Sequence, residues 1–309
     1  MEDIGESNSM VSVIIPTLNA ERYIHGLISS LKRQTLKPEI IVIDSSSSDN
    51  TVGIADSLGA KTKIIVRGCF DHGGTRNTAV KLANGDILVF VTQDAMPVDE
   101  YLIENLIAPL KEPDIPASYG RQIPKDDAKP TERFSRLFNY PDKPFINDKE
   151  GISKWGIRTF FFSNVCSAIR RKEFEEIGGF TEGLIMNEDM LLASRLIMRG
   201  YRIAYVHQAR VIHSHNYSWL QQFRRYFDIG TFLRMGPGPL SGLRIEDTGI
   251  RFLVEEIRYL VRNRSYTCLP RLLVETISKF IGYKLGYHHN MLPLSLRRSF
   301  SMHTNYWIE

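Results

Sequence analysis

The sequence predicts an α/β protein with a mostly parallel central sheet, helices on both faces and a helical C-terminal region. Two observations carry that prediction. Continuous apolar, β-branched runs recur through the first third of the chain, and each gives way to a polar loop and then to helical spacing. Unbroken runs of this kind mark strands covered on both faces, whereas a sheet with one wet face alternates. Composition agrees: 309 residues, 43% hydrophobic and 24% charged, can bury a large core. The same numbers exclude a disordered chain, a collagen and a small disulfide scaffold.

The elements follow in order. Residues 1–9 form a loose lead. VSVII (11–15) is the first strand and is expected to stop at Pro16, which has no N–H for a ladder. Residues 20–34 place Tyr23, Ile24, Leu27, Ile28 and Leu31 at helical spacing. IIVID (40–44) is a second strand, followed by SSSSDNT, where Ser48 or Asp49 can cap a helix. KIIV (63–66) and ILVFV (87–91) are the third and fourth strands, and residues 72–83 lie between them as a helix. Residues 113–155, rich in Pro, Asp and Lys, sustain no periodicity and read as a long binding loop. Regular structure resumes at FFFSNVCSAI (160–169), with a short helix to Ile177 and a turn at Gly178-Gly179-Phe180. A helix capped by Asn187 runs to Gly200, and RIAYV (202–206) and ARVIH (209–213) read as two short strands. Beyond Trp219 the chain turns helical, basic and aromatic. Leu253, Ile257, Leu260 and Val261 form one apolar stripe, and Leu269, Leu273, Ile277, Phe280 and Ile281 another, with a break at Gly236-Pro237-Gly238-Pro239.

Lys and Arg number 39 against 35 Asp and Glu, too even a balance to suggest nucleic acid. The basic excess is concentrated in residues 217–309, where 13 Lys/Arg face 7 Asp/Glu. Such a tail suits an anionic membrane surface or a phosphate-bearing acceptor. Arg251, Arg258, Arg262, Arg264 and Arg271 lie near the apolar stripes, the mixture found in interfacial helices. The stripes themselves could equally pack on the rest of the chain or on a second subunit in a homo-oligomer. Three cysteines without metal-binding spacing, an acidic opening unlike a signal peptide and no run of eighteen apolar residues point to a cytoplasmic protein, peripheral at most to the inner membrane face.

In parallel sheets the site forms outside the carboxyl ends of the strands. Polar clusters fall at or beside four such ends: Pro16-Thr17-Leu18-Asn19, Asp44-Ser45, residues 72–77 and Gln93-Asp94. Asp44 could accept the N3–H of uracil or thymine, or simply cap the serine loop. Asp94 could hold a hard divalent ion bridging a diphosphate, or form an Asx-turn before Pro97. Gly73, Gly74 and Arg76 open a helix whose N-terminus favours an anion. Glu188 and Asp189 begin another, where acids are ordinary capping residues but Asp189 could also serve as a base. His213 and His215 alternate on a strand and so share a face; His213 could complete a metal site begun by Asp94, with His215 a structural hydrogen-bonder. Arg224 or Arg225 could meet a phosphate or lie on a solvated helix face.

Together, PTLN, DSSSSDNT, GGTRN, TQDAMP, GGF, NED and HSH occur in the order that resembles the inverting glycosyltransferases of family 2, over residues 10–216. The resemblance implies the GT-A fold, with residues 10–112 as a nucleotide-sugar half, 113–216 as an acceptor half and 217–309 as an appended helical region. It implies Pro16, Thr17, Asn19, Asp44, Ser45, Gly74, Arg76, Gln93 and Asp94 around the donor. It further implies Asp94 and His213 on Mg²⁺ or Mn²⁺, Asp189 as catalytic base, and Asn164, Glu188 and Arg224 near the acceptor. The finer pattern, DHGGTRN, YGRQIP, FFFSN and HSHNYS, resembles bacterial rhamnosyltransferases. These would use dTDP-rhamnose to build a lipid-linked or cell-surface polysaccharide. A galactosyl, glucosyl or N-acetylglucosaminyl transferase using a UDP-sugar is the alternative, and a non-catalytic nucleotide-sugar-binding module a second. Many relatives carry an acid where Gln93 stands. A nucleotidyltransferase is disfavoured, because PTLN lacks a basic glycine-rich loop.

Overall fold

The computed structural model describes residues 9–235, 238–240 and 246–307. The lead expected at 1–9 lies outside these apart from Ser9, as do Gly236 and Pro237 of the expected break. One nine-stranded mixed sheet organises the chain. Its strands are β1 (Val11–Thr17), β2 (Glu39–Asp44), β3 (Lys61–Ile64), β4 (Ile87–Val91), β5 (Met96–Pro97), β6 (Ala117–Ile123), β7 (Phe145–Asn147), β8 (Cys166–Arg170) and β9 (Ile203–Ile212). Their spatial order is β3-β2-β1-β4-β8-β6-β9-β5, with β7 also paired to β9. The first four strands are parallel to one another, β8 runs antiparallel between β4 and β6, and β6 and β9 are again parallel. The order reverses at β1, so loops diverge there and leave a crevice at the carboxyl ends.

Eight helices flank this sheet: α1 (Glu21–Lys32), α2 (Thr51–Ser57), α3 (His72–Val80), α4 (Leu102–Ile107), α5 (Pro130–Asn139), α6 (Gly151–Trp155), α7 (Arg171–Glu176) and α8 (Glu188–Met198). Hydrophobic clusters fill both of its faces. Val13, Ile15 and Val42 meet Ile24, Leu27, Ile28 and Leu31 of α1 in one; Ile14, Ile41 and Phe90 meet Leu192, Leu196 and Ile197 of α8 in the other. Alternate strand residues thus feed opposite cores, which is why these strands read as unbroken apolar runs.

Several elements depart from expectation for identifiable reasons. β1 continues through Pro16 to Thr17, opposite Ile43 and Asp44. It pairs with β4 only as far as Ile14, so Pro16 has a neighbour on one side alone and a ladder donor can be spared. β3 lies at Lys61–Ile64 rather than 63–66 and forms the sheet edge, with Ile64 and Val66 exposed. Asp49 accepts from the Thr51 N–H and hydroxyl and from Glu21 N–H, but the N-cap position of α2 is Asn50. Asn187 does precede α8, in a left-handed conformation without a side-chain cap bond. The segment expected to be irregular, 113–155, contains β6, α5, β7 and α6, and β6 is central in the sheet. Its sequence ASYGRQI buries Ser118, Gly120 and Gln122, so it lacks the apolar run that marks a central strand. The regular structure expected to resume across 160–169 is confined to β8, after a 3₁₀ turn at Gly156–Phe160. The two short strands at 202–213 are one strand, β9, with a shift of register after Val206.

The C-terminal region comprises α9 (Trp219–Met235), α10 (Glu246–Arg262), α11 (Leu269–Tyr287) and α12 (Leu294–Phe300). α9 and α11 pack closely, their backbones meeting at Gly230, Gly282 and Gly286. α11 buries Leu272, Glu275, Ser278, Gly282 and Gly286, the face opposite its expected stripe. Of the two stripes only Leu260 is buried; Ile257, Val261, Leu273, Ile277, Phe280 and Ile281 are exposed. No helix among the described residues is long and apolar enough to cross a membrane.

A Cβ at Gly286 would overlap the Phe227 carbonyl, and one at Gly282 the Phe223 carbonyl. Alanine normally favours a helix interior over glycine by about 1 kcal/mol. Here overlap with a partner's backbone reverses the sign. Gly286→Ala is expected to destabilise the protein by about 1–3 kcal/mol, read as a lower denaturant midpoint. Gly249→Ala, where a Cβ meets nothing, serves as the control.

Candidate active site

A cavity of about 430 Å³ opens at the carboxyl ends of β1, β2 and β4. One wall is Pro16, Thr17, Leu18, Ser45, Thr92 and Gln93; Arg67, Phe70, Asp71, His72 and Arg76 come from the approach to α3 and its first turn. Leu184 and Ile185 close one end, and residues 302–306 form a further wall. Four buried polar atoms in these walls have no partner within the protein: Ser45 Oγ, His72 Nε2, Arg76 Nε and Thr92 Oγ1. Unpaired buried polar groups are costly, so their gathering in one cavity marks it as built for a polar ligand.

The loops around the cavity brace one another. Asp44 is fully buried and accepts from Thr17 Oγ1 at 2.8 Å and from Ser47 N and Oγ at 2.7 and 2.6 Å. It therefore caps the serine loop and orients Thr17 rather than lining the cavity itself. Asn19 is exposed, in a left-handed conformation, and its side chain accepts from Ser48 N and Oγ. Gln93 accepts from Leu18 N at 2.8 Å and donates to Leu18 O at 3.3 Å. A carboxylate could make only the first of these bonds, which gives the amide at this position a structural reason.

Below Gln93 lies a cluster of Asp94, His213 and His215, whose ligand atoms all fall within 4.8 Å of one another. Asp94 is 3.5 Å from His213 Nε2 and 3.3 Å from His215 Nε2, and the two Nε2 atoms are 3.0 Å apart. The tautomer of His213 follows from Gln122. That amide oxygen accepts from Arg136 and lies 2.9 Å from His213 Nδ1, so Nδ1 carries the proton and Nε2 presents a lone pair. Burial lowers the pKa of both imidazoles, that of His215 to about 4 with His213 beside it, and so keeps them neutral. Burial opposes ionisation of Asp94, but the facing His213 and His215 side chains and Lys125 hold it far below the usual carboxylate range. One carboxylate and two imidazole Nε2 atoms converging on a point fit a divalent cation. His215, expected to be only a hydrogen-bonder, belongs to this cluster as fully as His213.

The other reactive group is Asp189, at the start of α8. Its Oδ2 accepts from Asn164 N at 3.1 Å and its Oδ1 from Met190 N at 2.8 Å. Burial, then the adjacent Glu188 charge, pushes its pKa up to about 7, against those two bonds and Arg76. Glu188 is buried. Arg76, His72 and Asn164 overcome the cost of its burial and hold its pKa below the usual value. It forms an ion pair of 3.1 Å with Arg76 and accepts from Asn164 Nδ2 at 3.0 Å. Glu188 and Asn164 are therefore committed inside the protein and do not offer themselves to an acceptor. Gly74 is corrected likewise, since its N–H is donated to Asp71, the cap of α3, and is not free for an anion. Arg224 is absent from the cavity walls.

Two distant motifs explain each other. Asn77 of α3 donates to Phe180 O at 2.9 Å and accepts from Phe180 N at 3.0 Å, so the GGTRN helix is clamped to the GGF turn. Sequence reasoning missed Gln122 and residues 302–306, and named His72 only as part of the cluster at 72–77. The spacing of His213 and His215 was a usable signal for the third cluster member; nothing local signalled the C-terminal segment.

A mixed sheet with a polar cavity at its switch point, a carboxylate–imidazole cluster and a half-buried acid poised near neutrality are the parts of a group-transferring enzyme. The chain belongs to the glycosyltransferases of family 2: the model of that family, described as Glycosyl transferase family 2, matches residues 12–178. It is 43% identical to the O-antigen chain rhamnosyltransferase RfbN of Salmonella typhimurium over 306 residues, 96% of each chain. It is 41% identical to the O-antigen chain rhamnosyltransferase WbaN of Salmonella anatum, over 96% of this chain and 95% of that one. The fold is similar to that of the mannosyltransferase PcManGT from Pyrobaculum calidifontis, solved in complex with GDP-Man and Mn²⁺. The TM-score is 0.58 at 17% identity, covering 97% of this chain and 85% of that one.

A raised pKa on a base has a definite sign in a rate profile. Asp189 is neutral below about 7 and ionised above it, so transfer should rise with pH through that value. Glu188→Gln removes the neighbouring negative charge and leaves Arg76⁺, both of which favour the ionised form. Its acid limb is expected to move to lower pH by about one unit. Initial rates across pH measure this, and an unmoved limb would dissociate Asp189 from it.

Proposed function

We propose that this enzyme transfers L-rhamnose from dTDP-β-L-rhamnose, with inversion, to a hydroxyl of a lipid-linked O-antigen or related polysaccharide acceptor. The observation that carries the reading is the position of the cavity. It lies between Gln93, next to the Asp94 cluster, and Arg76, whose partner Glu188 precedes Asp189. Asp94, His213, His215 and Asp189 do not themselves line the cavity; they adjoin it through their neighbours Gln93 and Glu188. The choice of rhamnose is supported by identity of 43% and 41% over nearly the whole chain to two O-antigen rhamnosyltransferases.

In this reading residues 10–112 hold the donor and 113–216 present the acceptor. Thr17 and Ser45, with Asp44 beneath them, receive the base; Gln93 and Arg76 face the ribose and diphosphate. Asp189 takes the proton of the acceptor hydroxyl as that oxygen forms its bond to the anomeric carbon. The bond from that carbon to the diphosphate oxygen breaks, its electron pair leaves with dTDP, and the configuration inverts. A divalent ion held by Asp94, His213 and His215 would supply charge stabilisation to the diphosphate. Two nitrogen ligands favour Mn²⁺ over Mg²⁺, which prefers oxygen.

Thermal protection by a panel of nucleotide sugars, with and without Mn²⁺, tests the reading. The melting temperature should rise most with dTDP-rhamnose plus Mn²⁺. His215→Ala should weaken the Mn²⁺-dependent part of donor binding by at least about tenfold. Preferential protection by UDP-glucose, UDP-galactose or UDP-N-acetylglucosamine would replace rhamnose with that sugar. No protection by any donor would overturn the reading.

The C-terminal helices support attachment to an anionic bilayer, at the inner face of the cell membrane where a lipid-linked acceptor would be met. α10 exposes Ile250, Val254, Ile257 and Val261 at helical spacing, with Arg251, Arg258 and Arg262 exposed alongside; α11 exposes Leu273, Ile277, Phe280 and Ile281. Apolar faces ringed by arginines suit acyl chains below anionic headgroups. Co-sedimentation with phosphatidylglycerol-containing vesicles, but not with pure phosphatidylcholine, is expected. At about 1 kcal/mol per arginine, replacing Arg258, Arg262 and Arg264 by Gln should weaken it about a hundredfold. Equal retention on both vesicles, or a stable dimer that covers these faces instead, would exclude it.

A further inference from the structure

We propose that residues 301–307 complete the donor pocket and that His303 donates a hydrogen bond to the diphosphate of the bound nucleotide sugar. This rests on the donor reading above and assigns a binding residue from outside the part of the chain matched by the family model. Met302, His303, Thr304, Asn305 and Tyr306 all line the cavity, across from the strand ends that carry Thr17, Ser45 and Thr92. The cavity is thus bounded partly by a segment two hundred residues away in sequence from its first wall.

The segment is held firmly. Asp228 of α9 is buried and accepts from Met302 N at 2.9 Å, and the His303 N–H donates to Ser301 Oγ at 2.9 Å. Trp307 is buried against Phe227 and His289, and its carbonyl accepts from Arg298 Nε at 2.8 Å. Anchors on both sides fix His303 before any ligand arrives, so little ordering remains to be done on binding.

The surroundings of His303 select the ligand. Its ring lies edge to face on that of His72, with centroids 4.8 Å apart, and His72 Nε2 is a buried polar atom without a partner. Burial, His72 and Arg225 push the pKa of His303 down to about 4, against Glu188. It is therefore a neutral imidazole at neutral pH, with one N–H to give. Arg67 and Arg76 line the same cavity against a single carboxylate, Asp71, so its walls carry a positive balance that favours a negative ligand. The negative part of a nucleotide sugar is its diphosphate, and a donor bond to a charged acceptor is the stronger kind.

Calorimetric titration of the full chain in Mn²⁺, with dTDP and dTDP-rhamnose and with UDP in parallel, tests this. His303→Phe keeps a ring against His72 and removes the N–H; His303→Gln restores a donor. For His303→Phe, dTDP and dTDP-rhamnose should both bind about ten- to hundredfold more weakly, and by the same factor. His303→Gln should stay within about threefold of wild type. Unchanged affinity in His303→Phe would overturn the proposal. So would a loss confined to dTDP-rhamnose, which would assign the sugar, or equal losses in Phe and Gln variants, which would assign packing. Wild-type protein that binds neither dTDP nor UDP would remove the donor reading, and this inference with it.

Discussion

The ion pair between Arg76 and Glu188 is the contact on which the site depends. Both side chains are almost wholly buried, at 7% and 6% exposure, and they join α3 to α8 across the interior. Burying two charges costs several kcal/mol per ion unless geometry and further hydrogen bonds repay it. Here Asn164 bonds Glu188, and Arg76 bonds the His72 carbonyl. Arg76 is among the residues lining the cavity, and its buried Nε has no partner within the protein. The pair therefore does two things that a hydrophobic substitute could not. It presents a partly satisfied cation to the cavity, and it places a permanent negative charge beside Asp189.

That second effect separates two adjacent carboxylates into different roles. Glu188 stays ionised because Arg76 is next to it; Asp189, half-buried and with only backbone donors, is left to titrate near neutrality. Asn164 holds both, its N–H on Asp189 and its side-chain amide on Glu188. Gln122 performs the matching task for the metal cluster, bonding His213 on one side and Ser163 and Tyr140 on the other. Ser163 and Asn164 are neighbours in sequence, so one polar network running beneath the sheet ends orients the imidazoles and Asp189 together. Networks of this kind are rigid only when every member is satisfied, which is why their residues sit in β6 and in the loop before β8 rather than on a surface loop.

What the sequence revealed followed from how locally each feature is encoded. The parallel strands were legible because Val13, Val42 and Val89 sit in unbroken apolar runs, and the strand-end clusters because the polar residues follow them directly. β6 was illegible for the opposite reason. Its burial is achieved by Ser118, Gly120 and Gln122, and nothing local distinguishes such a strand from a loop. The roles of Asn164 and Glu188 were misassigned because a motif gives position but not partners; whether an acid faces substrate or an arginine is decided by α3, over a hundred residues away. Gly74 failed similarly, since its cap Asp71 competes for the N–H that an anion would need.

The C-terminal stripes make the same point at a larger scale. Their periodicity is real, yet α11 turns toward α9 its glycines and Leu272, and it leaves Leu273, Ile277 and Phe280 outside. Close backbone contact at Gly282 and Gly286 explains the choice: small residues admit α9 at a separation that the large apolar side chains would forbid. The region consequently has two faces with different obligations. The inner one, through Phe227 and Asp228, fixes residues 301–307 against the cavity, while the outer one stays apolar and basic. An apolar face outside the fold carries a solvation cost that packing among the described residues does not relieve.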